Sequence, residues 1–382
     1  MKFLKPIILK VLTVFIITSC SAIKPRIAEV SITVSNQSNM DRKAETVEIK
    51  WGKLSKLKIV DPKNLIVKSV LLGTEIPSQV MYDEQGTPKL IIFQTDIKAS
   101  SVQQFTIKIG IPSVYKNKVF GRQVPERFDD FAWENDKVAF RAYGEALESQ
   151  KGMAKGIDFW AKRTTDFVIN KWYKSGDYHK DNGDGVDAYH VGITLGAGNA
   201  APIFNDMIIY PINYSGYKIL ANGPIRIIFK LMYKPFMVGG EQVKETKIIS
   251  LDAGSQMNKI IDRYETKADL TIATGVTKHK GDGKSNIDKV NNFVAYWDAG
   301  DGEGSNGFIG VGVICDPSYI KAAKETKEHL LILLSLNKNK EIVYHQGGGW
   351  SKSENFADDQ QWFDYLKQFN QKLKNPLLIN AQ

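Results

Sequence analysis

The chain reads as mainly β: a large antiparallel β-sandwich, preceded by a smaller β-rich part and followed by a C-terminal helix. Three observations predict this. Short runs rich in Val, Ile, Phe, Tyr and Thr follow one another from Lys137 to Tyr344, separated by Gly, Asn and Asp. No helical period alternates with them, which favours antiparallel sheets over an α/β arrangement. Alternation is clearest where Phe105, Ile107 and Ile109 interleave with Thr106 and Lys108, as in a half-buried strand. Helical spacing is confined to the end, where Trp362, Tyr365, Leu366, Phe369 and Leu373 recur on one face, with Asp358 and Asp359 near the start and Pro376 beyond. At 382 residues the chain can bury one large or two modest cores. Its two cysteines, Cys20 and Cys315, support neither a disulfide framework nor a zinc cluster.

Lys2, Lys5 and Lys10 precede and interrupt an apolar stretch ending at Ile17, before Thr18-Ser19-Cys20; these are the regions of an export signal. The stretch is shorter than the roughly 20 apolar residues of a bilayer span. Ile17-Thr18-Ser19-Cys20 resembles the lipobox of bacterial lipoproteins, which implies loss of residues 1–19 and lipidation of Cys20 as the membrane anchor. That loss removes three lysines and no acid, taking the formal charge from +9 to +6. In outer-membrane lipoproteins of the Bacteroidota an acidic run after the cysteine marks surface display. Ser21-Ala22-Ile23-Lys24-Pro25-Arg26 carries none, so the resemblance implies an outer-membrane protein facing the periplasm, with the cell surface as the alternative.

Residues 20–112 form the N-terminal β-rich region, with strands expected over 28–34, 65–72, 89–93 and 104–109. Residues 113–128, with Pro, Lys, Arg and few apolar positions, read as a linker or strap. The main sandwich occupies 113–382, with strands expected over 137–143, 157–163, 186–193, 219–233, 247–251, 259–266, 270–277, 293–296, 307–315, 329–336 and 341–344.

Unusual side chains concentrate between Asp129 and Gly198. In a strand over 137–143, Arg141 and Tyr143 share one face while Val138, Phe140 and Ala142 face the core. The pair is then free to meet a ligand; a solvated face with a paired Arg is the plainer alternative. In Gly156–Arg163 the same alternation puts Asp158, Trp160 and Lys162 together. A tryptophan between an acid and a base suits a sugar, whose apolar face the ring covers, although a core Trp fits equally well. Gly176–Gly192 contains Asp181-Asn-Gly-Asp-Gly185, but Val191 stands where an EF-hand needs Glu, so that calcium motif fails and only a calcium site of another kind stays open. His179 lies in this polar loop, where an imidazole can serve as a base. His190, inside the expected strand, reads as structural. Arg226 points away from the core face formed by Ile225, Ile227 and Phe229. Gly347-Gly-Gly-Trp350 lacks the features of a phosphate loop and suggests close backbone approach to a ligand. The acidic turn from Asp298 to Glu303 reads as a solvated loop.

Trp133-Glu-Asn-Asp136, Phe140-Arg-Ala-Tyr-Gly144, Gly156-Ile-Asp-Phe-Trp160 with Lys162-Arg163, Tyr178-His-Lys-Asp181, Gly185-Val-Asp-Ala-Tyr189, Asn222-Gly-Pro-Ile-Arg226 and Gly347-Gly-Gly-Trp-Ser351 occur in this order. Together with the lipobox they resemble the ulvan oligosaccharide dehydratase family, formerly a domain of unknown function in polysaccharide-utilisation loci of the Bacteroidota. The resemblance covers roughly residues 30–375, and the sandwich is expected to be a galactose-mutarotase-like supersandwich. It implies removal of water from a non-reducing-end glucuronic or iduronic acid on sulfated rhamnose, giving a 4,5-unsaturated uronyl end. Partners are then sulfated uronic-acid oligosaccharides, in a pathway with ulvan lyase, sulfatases and unsaturated-glucuronyl hydrolases, and no nucleic acid. Elimination requires no redox cofactor, and the sequence carries no nucleotide fingerprint. The chemistry needs cations for the carboxylate and the developing enediolate, a base at C5 and an acid for the 4-hydroxyl. The expected catalytic set is His179 as base, Arg141 as cation, and Tyr143 or Tyr189 as acid, with Tyr178 behind them. Trp160, Lys162, Arg163, Arg226, Asp158 and Glu134 are the expected substrate-binding residues, and no metal ligand is expected. A glycoside hydrolase using Glu134 and Asp158, or a polysaccharide lyase, or a glycan-binding lipoprotein without catalysis, are the alternatives.

Overall fold

The computed structural model describes residues 28–281, 283–301 and 306–382, so Cys20 and the expected signal segment lie outside the described residues. Every pairing between named strands is antiparallel, and the chain is mainly β with a C-terminal helix, as its sequence predicts.

The N-terminal part packs a five-stranded sheet against a three-stranded one. Their facing residues Val30, Ile32, Val47, Ile49, Ile91, Phe93, Phe105 and Ile107 are buried together. Glu29–Asn36 pairs with Ser101–Ile109 so that Ile32 lies opposite Phe105, and Phe105 meets Phe93 across the layers at 4.7 Å between ring centres. Three strands of residues 28–112, Arg42–Lys50, Glu75–Ile76 and Ser78–Tyr82, lie outside the expected ones. The last strand, Leu378–Ala381, returns from the far end of the chain to pair with Glu29–Asn36. The N-terminal part is thus completed by the C-terminus.

The segment read as a linker becomes a strand over Val119–Val124. Its few apolar residues suffice because it is the edge of a five-stranded sheet, continued by Asp130–Asn135, Val138–Ala142, Asp158–Lys162 and Gly185–Val186. Only Val119, Gly121 and Val124 are buried along it. The body is a nine-stranded sheet running from Gly216–Asn222 to Lys284–Asp288, and a five-stranded sheet centred on Thr271–Thr277. Ile249, Leu251, Ile260, Val311, Val313, Ile272, Val276 and Ile332 belong to the core these sheets share.

Helix Asp359–Lys374 begins where the Asp358 carboxylate accepts from the Gln361 N–H at 2.9 Å. Its Trp362, Phe363 and Leu366 are buried against Phe293, Ala295, Trp297 and Ile314. Gly349 and its cross-strand neighbour Gly310 serve this packing: a Cβ on Gly349 would sit 2.5 Å from Phe356 and 3.0 Å from Trp362, and one on Gly310 would sit 2.6 Å from Trp362. Where a close approach to a ligand was expected, these glycines admit protein instead: Gly347 the Gln256 carbonyl, Gly348 the Phe159 ring and Gly349 the Phe356 ring. A second helix, Ile169–Ser175, was not expected; it lies over the outer face of the Val119–Val186 sheet. The strand expected over 186–193 shrinks to Gly185–Val186, after which the chain is irregular.

Candidate active site

The small sheet behaves as the alternation predicts on its inner face, where Trp133, Phe140 and Phe159 join the main core. Its outer face carries Asp130, Glu134, Arg141, Asp158, Trp160 and Lys162, with Arg141 opposite Asp158 and Ala139 opposite both Glu134 and Trp160. The helix and the loop that follows it cover this face, so all six are buried rather than open to solvent.

Two charged centres result. In one, the Lys162 ammonium donates to Glu134 at 2.6 Å and to the Asn135 carbonyl at 2.8 Å. The Glu134 carboxylate also accepts from the Val168 and Ile169 N–H groups at the start of the helix. In the other, Arg141 donates through Nε and Nη2 to Asp158 Oδ2 at 2.9 and 2.5 Å, and through Nη2 to Asp187 Oδ2 at 3.0 Å. Asp130 lies 3.8 Å from Nη1, too far for a hydrogen bond, and Nη1, Asp130 Oδ1 and Asp158 Oδ1 are buried without partners. Three carboxylates around one guanidinium is an excess of negative charge. Burial pushes the Asp130 carboxyl up to about 6, against the pull of Arg141. Burial, then the charge of Asp158, holds Asp187 well above the usual carboxylate range.

The second centre opens on a cleft of about 410 Å³, the scale of a small-molecule site. All four expected catalytic residues line it: Arg141, Tyr143, His179 and Tyr189. His179 is largely exposed, and its Nδ1 lies 3.1 Å from the Asp187 carbonyl oxygen. A carbonyl only accepts, so Nδ1 carries the proton and the Nε2 lone pair is left for chemistry. Tyr189 is buried; its hydroxyl comes near Thr277 but meets no partner in hydrogen-bond geometry. Burial keeps both Tyr143 and Tyr189 far above the ordinary tyrosine range, hence protonated donors.

The expected binding residues mostly lie elsewhere. Trp160 is fully buried, stacked on Tyr178 at 5.4 Å and packed on Trp172 at 5.3 Å, so its ring faces protein rather than a sugar. It instead supports Arg141, whose guanidinium carbon sits 5.2 Å from the ring centre. Lys162 and Glu134 are consumed by each other, and Asp158 holds Arg141; none of the three lines the cleft, which also separates Glu134 and Asp158 from a hydrolytic pair there. Arg163 pairs with Asp181 and lies over Trp350, with 4.7 Å from guanidinium carbon to ring centre. Arg226 pairs with Asp252 and Glu48 in a separate groove of about 830 Å³ beside the N-terminal part. The charges of Arg226, Asp252 and Glu48 there are mutually satisfied.

The structure adds residues the sequence did not single out. His190, expected to be structural, is exposed and lines the cleft. His279 places Nδ1 2.7 Å from Asp298 Oδ2 and Nε2 2.7 Å from the His190 carbonyl oxygen, with its ring 4.9 Å from that of Tyr189. Asp298 is therefore a buried partner rather than part of a solvated turn. Burial opposes the charged imidazole, but the hydrogen bond and charge of Asp298 prevail and raise His279. Asp301 donates its N–H to the Ala188 carbonyl at 2.6 Å and lines the same cleft. Arg127, from the end of the supposed linker, lines it too. Arg42, Arg122, Arg141, Arg163, Arg226 and Arg263 each meet a carboxylate, whereas no described carboxylate lies within 4 Å of Arg127. Among the described residues no group of three or more His, Cys, Asp or Glu is arranged to hold a metal ion.

A family model described as a domain of unknown function, DUF4861, matches residues 34–379. An uncharacterized protein, P7, of Formosa agariphila is 31% identical over 374 residues, covering 92% of this chain and 93% of that protein. Among solved structures, a glycosyl hydrolase family 38 protein of Enterococcus faecalis superposes with a TM-score of 0.53 at 9% identity, covering 93% of this chain and 47% of its own. An alpha-mannosidase of Enterococcus faecalis does so with a TM-score of 0.50 at 9% identity, over 93% of this chain and 46% of its own. The chain thus spans about half the length of these two structures, and at such identity the likeness concerns the fold alone.

Proposed function

Starting from a chain that belongs to the DUF4861 family, we propose that the protein is a hydro-lyase, an oligosaccharide dehydratase acting on the non-reducing-end uronic acid of ulvan oligosaccharides. The observation that carries this reading is the convergence of His179, Arg141, Tyr143 and Tyr189 on one cleft from separate stretches of sequence. His179 Nε2 removes the C5 proton, and the electron pair passes into the carboxylate-stabilised enediolate. The C4–O bond then breaks as Tyr143 or Tyr189, the protonated donors of the cleft, supplies a proton to the departing hydroxide. Base gains one proton, acid loses one, and water leaves; no electron carrier is involved. Arg141, fixed by Asp158 and Asp187, places positive charge beside the developing anion without a search among rotamers. In the same reading the chain is exported and anchored through Cys20, facing the periplasm, and passes unsaturated ends to unsaturated-glucuronyl hydrolases.

Incubation with a saturated uronyl-rhamnose sulfate disaccharide tests the reaction. The expected result is new ultraviolet absorbance from the conjugated double bond, with the mass lowered by one water. A new reducing end with water gained would replace elimination by hydrolysis, and binding without turnover would leave a glycan-capturing protein.

A further inference from the structure

We propose that Arg127 anchors the carboxylate of the sugar in the cleft; the assignment rests on the reading of that cleft as a uronic-acid site. Arg141, the cation the sequence singles out, is already committed. Its Nε and Nη2 donate to Asp158 and Asp187, and Asp130 stands behind Nη1. Arg141 keeps its charge beside the cleft, but with these donors committed it has no free bidentate fork to offer a substrate carboxylate. Arg127 stands at the edge of the same acids, where its charge pulls on Asp130 and Asp187 from a distance, yet it pairs with neither. It lines the same cleft, no described residue accepts a hydrogen bond from it, and its Nη1 is buried without a partner. A guanidinium left unpaired beside a cleft is a binding group awaiting an acceptor.

The turn that presents it is built for the purpose. Arg127 ends the short 3-10 helix Pro125–Arg127, and Phe128 and Asp129 follow in left-handed conformation with φ of 49° and 59°. Two successive non-glycine residues adopt this region only when the surroundings impose it. Here Gln123 Nε2 donates to Asp129 Oδ1 at 2.7 Å, and the Tyr214 hydroxyl donates to the Asp129 carbonyl. Gly144 packs so closely on that carbonyl that any Cβ would collide with it. The Phe128 ring carries the guanidinium, 5.0 Å from its centre. The planar fork of Arg127 matches a carboxylate through two parallel N–H donors, a geometry that selects a uronic acid over a neutral hexose. Neutralising that carboxylate also stabilises the enediolate, so the same contact serves both binding and turnover.

Calorimetric titration with two disaccharides on unsulfated rhamnose, one ending in glucuronate and one in its carboxyl-reduced glucose counterpart, tests the assignment. The native protein should prefer the glucuronate form. Arg127→Met should weaken that form on the order of 10- to 100-fold, the worth of hydrogen bonds to a charged group, and leave the neutral form unchanged. Arg127→Lys, which keeps the charge and loses the fork, should fall between. Equal affinity of the native protein for both sugars, or equal loss of both in Arg127→Met, overturns it. The dehydration assay separates this from the wider reading. Normal kcat/KM in Arg127→Met sinks the anchor while the dehydratase stands. Carboxylate-selective binding without water loss sinks the dehydratase while the anchor stands.

Discussion

The two charged centres on the outer face of the small sheet are near neighbours in sequence and opposite in character. At Glu134 and Lys162 the acids and donors balance: one carboxylate, one ammonium, two helix N–H groups and a carbonyl all find partners. At Arg141 the acids exceed the cation, several polar atoms have no partner, and one side faces the cleft. The first centre fastens the helix Ile169–Ser175 to the sheet, through the N–H groups that an isolated helix start leaves unsatisfied. The second leaves buried polar atoms unpaired beside a cleft that Arg141 and Asp187 line. Completeness of pairing, rather than charge or burial, separates fastener from site.

The sharpest way to break this contrast is to remove the base. His179→Ala should lower kcat by about 10²–10⁴-fold, the usual worth of a positioned base, while titration of the disaccharide shows binding largely kept. Unchanged turnover would take His179 out of the reaction and leave the cleft without its base. Lys162→Met should act on the other centre and on stability alone. It strands Glu134 with its charge buried, at a cost of about 3–5 kcal/mol, read as a lowered midpoint in urea. The Glu134→Gln/Lys162→Met pair should recover much of the loss. If Lys162→Met instead left stability intact and abolished turnover in the folded protein, the fastener would have to be redrawn as part of the site.

How much of this was legible in the sequence depended on whether the information was local. Alternation gave the strands around Arg141 and Asp158 and the face each side chain occupies, because it is a property of consecutive residues. What lies on top of that face is not. Trp160 fits a sugar platform and a core ring equally well in sequence, since nothing nearby announces that Trp172 and Tyr178 cover it. The covering helix is only seven residues long, too short to print a periodic pattern. Arg127 escaped notice inside a segment whose scarcity of apolar residues suggested a linker; the sparse pattern belonged to an edge strand. His279 is a lone histidine in a polar stretch, and its meaning comes from Asp298 on another strand and from the His190 carbonyl. The single hint was Asp298 itself, an acid adjoining the apolar run Phe293–Trp297, where burial calls for a partner.

The smallest effect tests the excess of acid directly. A carboxyl at about 6 in the folded chain, against the usual value of 3.8, keeps its proton over a range where the unfolded chain has lost it. The folded state then binds more protons, so this group's contribution to stability is full below pH 3.8 and is lost as pH rises towards 6. Asp130→Asn copies the protonated form and should remove that loss. The variant should match the native protein near pH 3.5 and exceed it above pH 7 by on the order of 3 kcal/mol, measured as the difference between their denaturation midpoints across the range. Glu134→Gln should instead destabilise at neutral pH, because the Glu134 carboxylate accepts from Lys162 and the helix start, and amide substitution there strands the ammonium. If Asp130→Asn were also destabilising at neutral pH, the carboxylate would be a needed partner of Arg141, and the second centre would be as complete as the first.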